Sequence, residues 1–338
     1  MLALVILSAT CAAQQEEATF STGVSVVNVL AGVRNKDGQI VRNLTQDDFL
    51  IEEDGRPQAV RYFAQQTDLP LTLGLLIDTS GSVRRIIDQE RNASREFFWQ
   101  VLRENKDAAF VIHFDHDVEL LQDLTGSHRQ LDRALDEVET QEVRLYRRRG
   151  ASPGGYPPAQ GGPQRGGTIV RGGTALYDAI LLASDELMRK QQGRKALILL
   201  TDGMDEGSKV TLNHAIEAAQ RADTLIYTIR FEDPAYRVFS PGRRGGVTIR
   251  LGPGRPDGRK VLERIAKESG GAYFDVTGEL SLERIFRRIE EDLRNQYSLG
   301  FTPSATSSAA SPGYRKLHVA VKQKGLTVQA RDGYYPSK

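Results

Sequence analysis

Two hydrophobic rhythms divide this chain. From Thr19 to Phe63, apolar and polar positions alternate in short runs, FSTGVSVVNVLAGV and DDFLIEEDGRPQAVRYF, punctuated by the turn pairs Asp37-Gly38 and Asp54-Gly55. Period-two alternation with Asp-Gly turns predicts strands joined by hairpins, a small β unit over 19–66. From Leu71 the rhythm lengthens. The unbroken apolar run LTLGLLID leads into VRRIIDQERNASREFFWQVLREN, then AAFVIHF, and later ALILLTD, the helical stretch LNHAIEAAQRA and TLIYTIRF. Apolar runs without alternation, separated by amphipathic helices, predict an open, doubly wound, mostly parallel sheet covered on both faces, here over 71–295. After the helical stretch LSLERIFRRIEEDLRN, alternation returns in QYSLGFTP, YRKLHVAVKQ and LTVQARDGYY, a second β unit over 296–335. The predicted class is therefore α/β. Because domain termini often lie close together, the two β units are expected to pair into one small β-sandwich-like domain holding the α/β domain as an insert.

Composition changes this picture in two places. RRRGASPGGYPPAQGGPQRGG, Arg147 to Gly167, and SPGRRGGVTIRLGPGRPDGR, Ser240 to Arg259, are dense in Gly, Pro and Arg and read as loops inserted in the α/β domain. A sharper reading has their arginines meet an acidic or phosphorylated partner. Across all 338 residues, 45 Lys and Arg stand against 44 Asp and Glu, a formal charge of +1. No global field recruits nucleic acid or an anionic membrane, so any such binding is local. The opening MLALVILSATCAA is apolar, too short to span a bilayer, and ends in small residues before QQEEATF; it fits a secretory signal over 1–13 cleaved near Ala13. The protein is expected to be exported, periplasmic or extracellular. Cys11, the single cysteine, offers lipid attachment as the alternative fate of that segment. Cleavage at Ala13 leaves no thiol for disulfides or thiolate metal sites. No later segment is apolar enough to cross a membrane.

The candidate chemistry gathers at predicted strand ends, where open α/β sheets bind ligands. LGLLIDTSGSV ends a buried strand in Asp78 and follows it with Ser80 and Ser82; ALILLTD ends in Asp202; GGTALYDAI places Thr174 where a loop enters a helix. Short hydroxyl and carboxylate side chains without His or Cys suit a hard cation, Mg²⁺ above all, or Mn²⁺ or Ca²⁺. Alternate residues of a tight loop, Asp78, Ser80 and Ser82, face one ion, which turns Thr79 the other way. With only two carboxylates, the dication stays incompletely neutralised and attracts an acidic group from outside.

DTSGS, the threonine of GGTALYDA and the aspartate of LLTDG together resemble the metal ion-dependent adhesion site of von Willebrand factor type A domains, which are Rossmann-like in fold. All three segments occur in order and on the predicted elements. The flanking DGQIVRNLTQDDFLIEEDGRPQAVRYF and GLTVQARDGYY are similar to segments around this domain in the exported acidobacterial VWFA-related group. The resemblance implies that Ser80 and Ser82 ligate the metal directly, that Asp78 and Asp202 bind it directly or through water, and that Thr174 joins when an outside ligand is engaged. It implies that this ligand is an Asp or Glu carboxylate of a protein partner, and an adhesion or interaction role. Asp205 and Glu206, just beyond, read either as solvated loop charges or as groups that tune the field.

Other classes fit less of the pattern. A helix-capping reading of DTSGS explains one of its residues, not Thr174 and Asp202 as well. A magnesium-dependent phosphatase with Asp78 as nucleophile needs a second acid two residues on, where Ser80 stands. The strained G-x-S-x-G elbow and the phosphate-cradling G-x-x-x-x-G-K-[ST] loop are both missing. HFDHD, His113 to Asp117, reads as a polar turn between strands rather than a zinc cluster. A structural reading, a scaffold subunit of an envelope assembly, remains as the alternative to metal-dependent adhesion.

Overall fold

The computed structural model describes residues 26–65, 68–80, 87–138, 173–231, 257–303 and 313–336. The predicted signal segment with Cys11, the loop 147–167 and Ser82 lie outside the described residues.

The alternating segments form strands as expected, and those from the two ends of the chain interleave. Near the start lie β1 (Val27–Arg34), β2 (Phe49–Glu53), β3 (Arg56–Gln58) and β4 (Tyr62–Ala64). Asp54 and Gly55 both take positive φ, 49° and 76°, which gives the β2–β3 hairpin the turn twist its strands require. The α/β segment then runs through β5 (Leu71–Asp78), α1 (Ile87–Val101), β6 (Ala108–Phe114), β7 (Val118–Thr125), α2 (His128–Asp136) and α3 (Leu176–Leu182). It continues through β8 (Arg194–Thr201), α4 (Leu212–Arg221), β9 (Leu225–Arg230), α5 (Gly258–Ser269), β10 (Tyr273–Asp275) and α6 (Leu282–Arg294). The chain closes with β11 (Tyr297–Phe301), β12 (Arg315–Val321), β13 (Thr327–Gln329) and β14 (Gly333–Tyr334).

One four-stranded sheet has the order β13-β1-β11-β4 and a second the order β14-β12-β2-β3. Val27 pairs with Phe301 and Ile51 with Val319, so each sheet needs both chain ends. Their inward residues, among them Val29, Val33, Ile51, Tyr297, Phe301 and Leu317, share one apolar core. Arg34 of β1 donates from Nε to Asp292 on α6 at 3.0 Å and so fastens this unit to the α/β layer.

The central sheet has the order β10-β9-β8-β5-β6-β7 and is parallel throughout except for the antiparallel edge pair β6–β7. Every residue of β5 and β8 is buried, which is why neither shows alternation. One face packs on α1, α2 and α6, where Phe97 stacks on Phe286 with ring centroids 4.5 Å apart. The other face packs on α3, α4 and α5.

The second Gly/Pro/Arg-rich loop is shorter at its far end than composition suggests. Residues 240–256 lie outside the described set, but the side chain of Asp257 accepts from the amide of Arg259 at 3.1 Å, so Gly258 and Arg259 open α5. An N-capping aspartate overrides the loop-like character of the residues around it. Among the described residues no helix is long and apolar enough to cross a membrane.

Candidate metal centre

Strand order reverses at β5, with β8 and β9 to one side and β6 to the other. Loops leaving β5 and β8 therefore part toward opposite faces and open a crevice at the carboxyl ends of the strands, where ligands collect in doubly wound sheets. Asp78 is the last residue of β5 and is fully buried. Its Oδ1 accepts from the Ser80 amide at 2.9 Å, which folds the DTS turn back on its own carboxylate. Its Oδ2 accepts from the Thr201 hydroxyl at 2.6 Å, across to the end of β8. Thr201 Oγ1 in turn accepts from the Gly203 amide at 3.1 Å, and Asp202 Oδ1 from the Met204 amide at 2.9 Å. Both carboxylates are thus aimed by turns of their own loops. Burial first, and then the charge of Asp202, push the Asp78 carboxyl up to about 7, against the hydrogen bonds from Thr201 and Ser80.

The third segment reaches the same edge. The Thr174 carbonyl accepts from the amides of Glu206 and Gly207, each at 3.1 Å, so the loop after β8 lies directly on it. The Ala175 amide donates to the Asp115 carbonyl at 2.6 Å, and the Gly173 amide to a His116 ring nitrogen at 3.2 Å, which seats the same segment on the turn after β6. Thr174 itself is 7% exposed. Asp78, Ser80, Thr174 and Asp202 thus stand on three loops at one end of the sheet. Thr79 is buried and gives its hydroxyl to the Phe114 carbonyl at 3.3 Å.

Of the two neighbouring acids, Asp205 departs from the reading as a solvated loop charge. Asp205 is half-buried, and its Oδ1 accepts from the Ser208 hydroxyl at 2.5 Å and the Tyr177 amide at 3.3 Å, so it helps cap the start of α3. Glu206 is exposed. The HFDHD turn separates its histidines: His113 meets Glu119 at 3.0 Å while His116 receives Gly173.

Two further residues escaped the motif reading. Thr201 had a signal, a hydroxyl at the strand end just before Asp202. Glu90 had another: the buried stripe of α1 runs Ile87, Glu90, Ala93, Ser94, Phe97, Phe98, Val101, and a carboxylate breaks it. Glu90 is completely buried, and among the described residues neither carboxyl oxygen has a hydrogen-bond partner. Burial, and then the charge of Asp78, push its carboxyl well above the usual range.

These residues fit a hard divalent cation. The charge of Asp202 makes it costlier to ionise Asp78, a cost that a cation at the site would relieve, and the oxygens nearby suit Mg²⁺, Mn²⁺ or Ca²⁺. Among the described residues no group of three His, Cys, Asp or Glu could hold a metal, and the hydroxyls of Ser80 and Thr174 are neutral oxygens that would join Asp78 and Asp202 in a first shell.

Residues 167–288 match the family model of the von Willebrand factor type A domain, and the chain contains such a domain. That match includes Thr174 and Asp202 and begins after the segment carrying Asp78, Ser80 and Ser82. No curated protein sequence matches the chain. Among solved structures, proximal thread matrix protein 1 from the mussel byssus is similar at 14% identity and a TM-score of 0.47, over 72% of this chain and 51% of its own. The same mussel protein with a zinc-occupied MIDAS motif matches at 14% identity and a TM-score of 0.47, over 71% and 49%. The von Willebrand factor type A protein of Catenulispora acidiphila matches at 11% identity and a TM-score of 0.45, over 91% of this chain and 73% of its own. The chain spans about half the length of the mussel protein.

Proposed function

We propose that this protein binds a divalent cation, Mg²⁺ first, through Asp78, Ser80, Ser82, Thr174 and Asp202, and through that cation captures an Asp or Glu carboxylate of a protein partner outside the cell or in the periplasm. The observation that carries this reading is the buried Asp78, turned by Thr201 and Ser80 toward the edge that Asp202 and Thr174 share. Asp78 and Asp202 hold the ion and are themselves held by backbone amides. The hydroxyls of Ser80, Ser82 and Thr174 add neutral oxygens, which complete a shell without cancelling the charge. A cation in this site supplies the residual positive charge that draws a carboxylate in from outside. The domain match supports an interaction role, and the reading assigns no turnover.

A pull-down from an envelope extract tests it, run in Mg²⁺ and in chelator with the wild type and Asp78→Ala. The partner is expected in Mg²⁺ with the wild type alone; a partner retained in chelator, or by Asp78→Ala, sinks the reading.

A further inference from the structure

Glu90 is the feature of the molecule that the metal-site reading leaves unexplained. Carboxylates are almost never fully buried unless paired, and burying one without a partner costs several kcal/mol by general estimates. Yet Glu90 is 0% exposed, and both its oxygens lack a hydrogen bond among the described residues. It sits in the first described turn of α1, twelve residues past Asp78 in sequence and on the side of the helix that faces the sheet. One turn further along the same stripe, the hydroxyl of Ser94 is also buried and has no partner among the described residues. A purely structural stripe at these positions would be apolar, as it is at Ile87, Ala93 and Phe97.

We propose that Glu90 is a third acid of the cation site, acting from behind the direct ligands through an ordered water. The proposal rests on the metal-binding reading above and deepens it. Direct ligation is disfavoured, since Asp78, Asp202 and Glu90 do not form a group of three that could hold one metal. An outer carboxylate needs only a bridging water, and buried oxygens left unpaired among the described residues, as at Glu90 and Ser94, are the groups that a buried water satisfies. Such outer partners orient what touches the metal and raise its affinity. Glu90 lies in the first described turn of α1, the next described element after the strand that ends in Asp78, and after burial the charge of Asp78 also pushes its carboxyl up. A cation beside Asp78 turns that unfavourable pairing into a favourable one, and so gives the orphaned carboxylate a charge to answer.

The test is calorimetric titration of Mg²⁺ into the full chain as wild type, Asp78→Ala and Glu90→Gln, with melting curves in chelator and in Mg²⁺. Gln keeps the shape and polarity of Glu and removes only the charge. The expected result is that Glu90→Gln folds, binds Mg²⁺ about tenfold more weakly, and shows a smaller Mg²⁺-induced rise in melting temperature. A buried acid with only a structural role would change the melting temperature in chelator and leave the Mg²⁺ affinity and the Mg²⁺-induced rise as they are; that result overturns the proposal. Should Glu90→Gln fail to fold, Glu90→Met is titrated against the same criterion. If the wild type takes up no Mg²⁺, the metal-binding reading falls and this proposal with it; if the wild type binds and the Glu90 variant binds equally, only the role of Glu90 falls.

Discussion

The hydroxyl of Thr201 donates to Oδ2 of Asp78 at 2.6 Å and joins the carboxyl ends of the two central strands, β8 and β5, through one buried hydrogen bond. Both residues are 0% exposed, so this bond meets an oxygen that bulk water does not reach. Thr201 also accepts from the Gly203 amide at 3.1 Å, which sets the path of the loop that carries Asp202.

Thr201→Val keeps the volume and removes both bonds. It is expected to destabilise the protein by about 1–3 kcal/mol, the general cost of leaving buried polar groups unpaired, and to weaken Mg²⁺ binding about tenfold by loosening Asp78. Denaturant unfolding in chelator reads the first quantity and calorimetry the second. Loss of stability with Mg²⁺ affinity unchanged would show that Thr201 supports the fold without positioning the ligand.

Stability of the metal-free protein should fall as pH rises. The Asp78 carboxyl is pushed from its ordinary 3.8 to about 7 by burial and then by the Asp202 charge. Between those values the folded state holds a proton that the unfolded chain has released, so the slope of stability against pH is negative across that window. Melting temperatures in chelator should decline from pH 5 to pH 8, and Asp78→Asn should flatten the decline. A rise over that interval would contradict the arrangement of the two acids.

At the opposite end of the sheet, Asp107 performs a purely structural task. It accepts from the Leu71 amide at 2.9 Å, from Arg103 Nε at 2.9 Å and from Arg294 Nη2 at 2.6 Å, binding the start of β5, the end of α1 and the end of α6 together. Burial alone would push its carboxyl up, but the hydrogen bonds from Arg103 and Arg294 and from the backbone outweigh it and hold it well below the ordinary range. Its contribution is therefore present above about pH 4 and is lost as pH falls below that. Asp107→Asn is expected to cost about 3 kcal/mol in denaturant unfolding at pH 7, discounted for the partly exposed Arg103, with Mg²⁺ affinity unchanged.

The β unit has its own buried ion pair, which crosses from one chain end to the other. Arg315 Nη1 meets Glu53 Oε1 at 3.0 Å, with side chains 5% and 1% exposed, and the Tyr334 hydroxyl donates to the same oxygen. Arg315→Met removes the positive charge that answers the buried Glu53 carboxylate and should cost about 3–5 kcal/mol, whereas the double change Glu53→Met with Arg315→Met should recover most of it. Equal costs for the single and double variants would argue that Arg315 acts through packing alone.

Much of this was legible in the chain itself. The unbroken apolar runs at β5 and β8 announce strands covered on both faces, and Asp78, Thr174 and Asp202 can be found because each closes a run or opens a helix in a recognisable phrase. Pairing of the chain ends could only be expected on general grounds, because Val27 meets Phe301 across almost the whole chain and no local pattern encodes that partner. The helix α5 and the short strand β10 went unread: α5 begins against a loop rich in Gly, Pro and Arg that hides its cap, and β10 has three residues, too few for a period. Thr201 and Glu90 were missed for a different reason. Their importance lies in what they touch, or fail to touch, and partners are a property of the fold.

The most direct measurement is calorimetric titration of Mg²⁺ into the full chain beside Asp78→Ala and Asp202→Ala. The wild type is expected to take up one ion, and both variants to lose that uptake. A wild type that takes up no divalent cation, or variants that bind it as well as the wild type does, would contradict it.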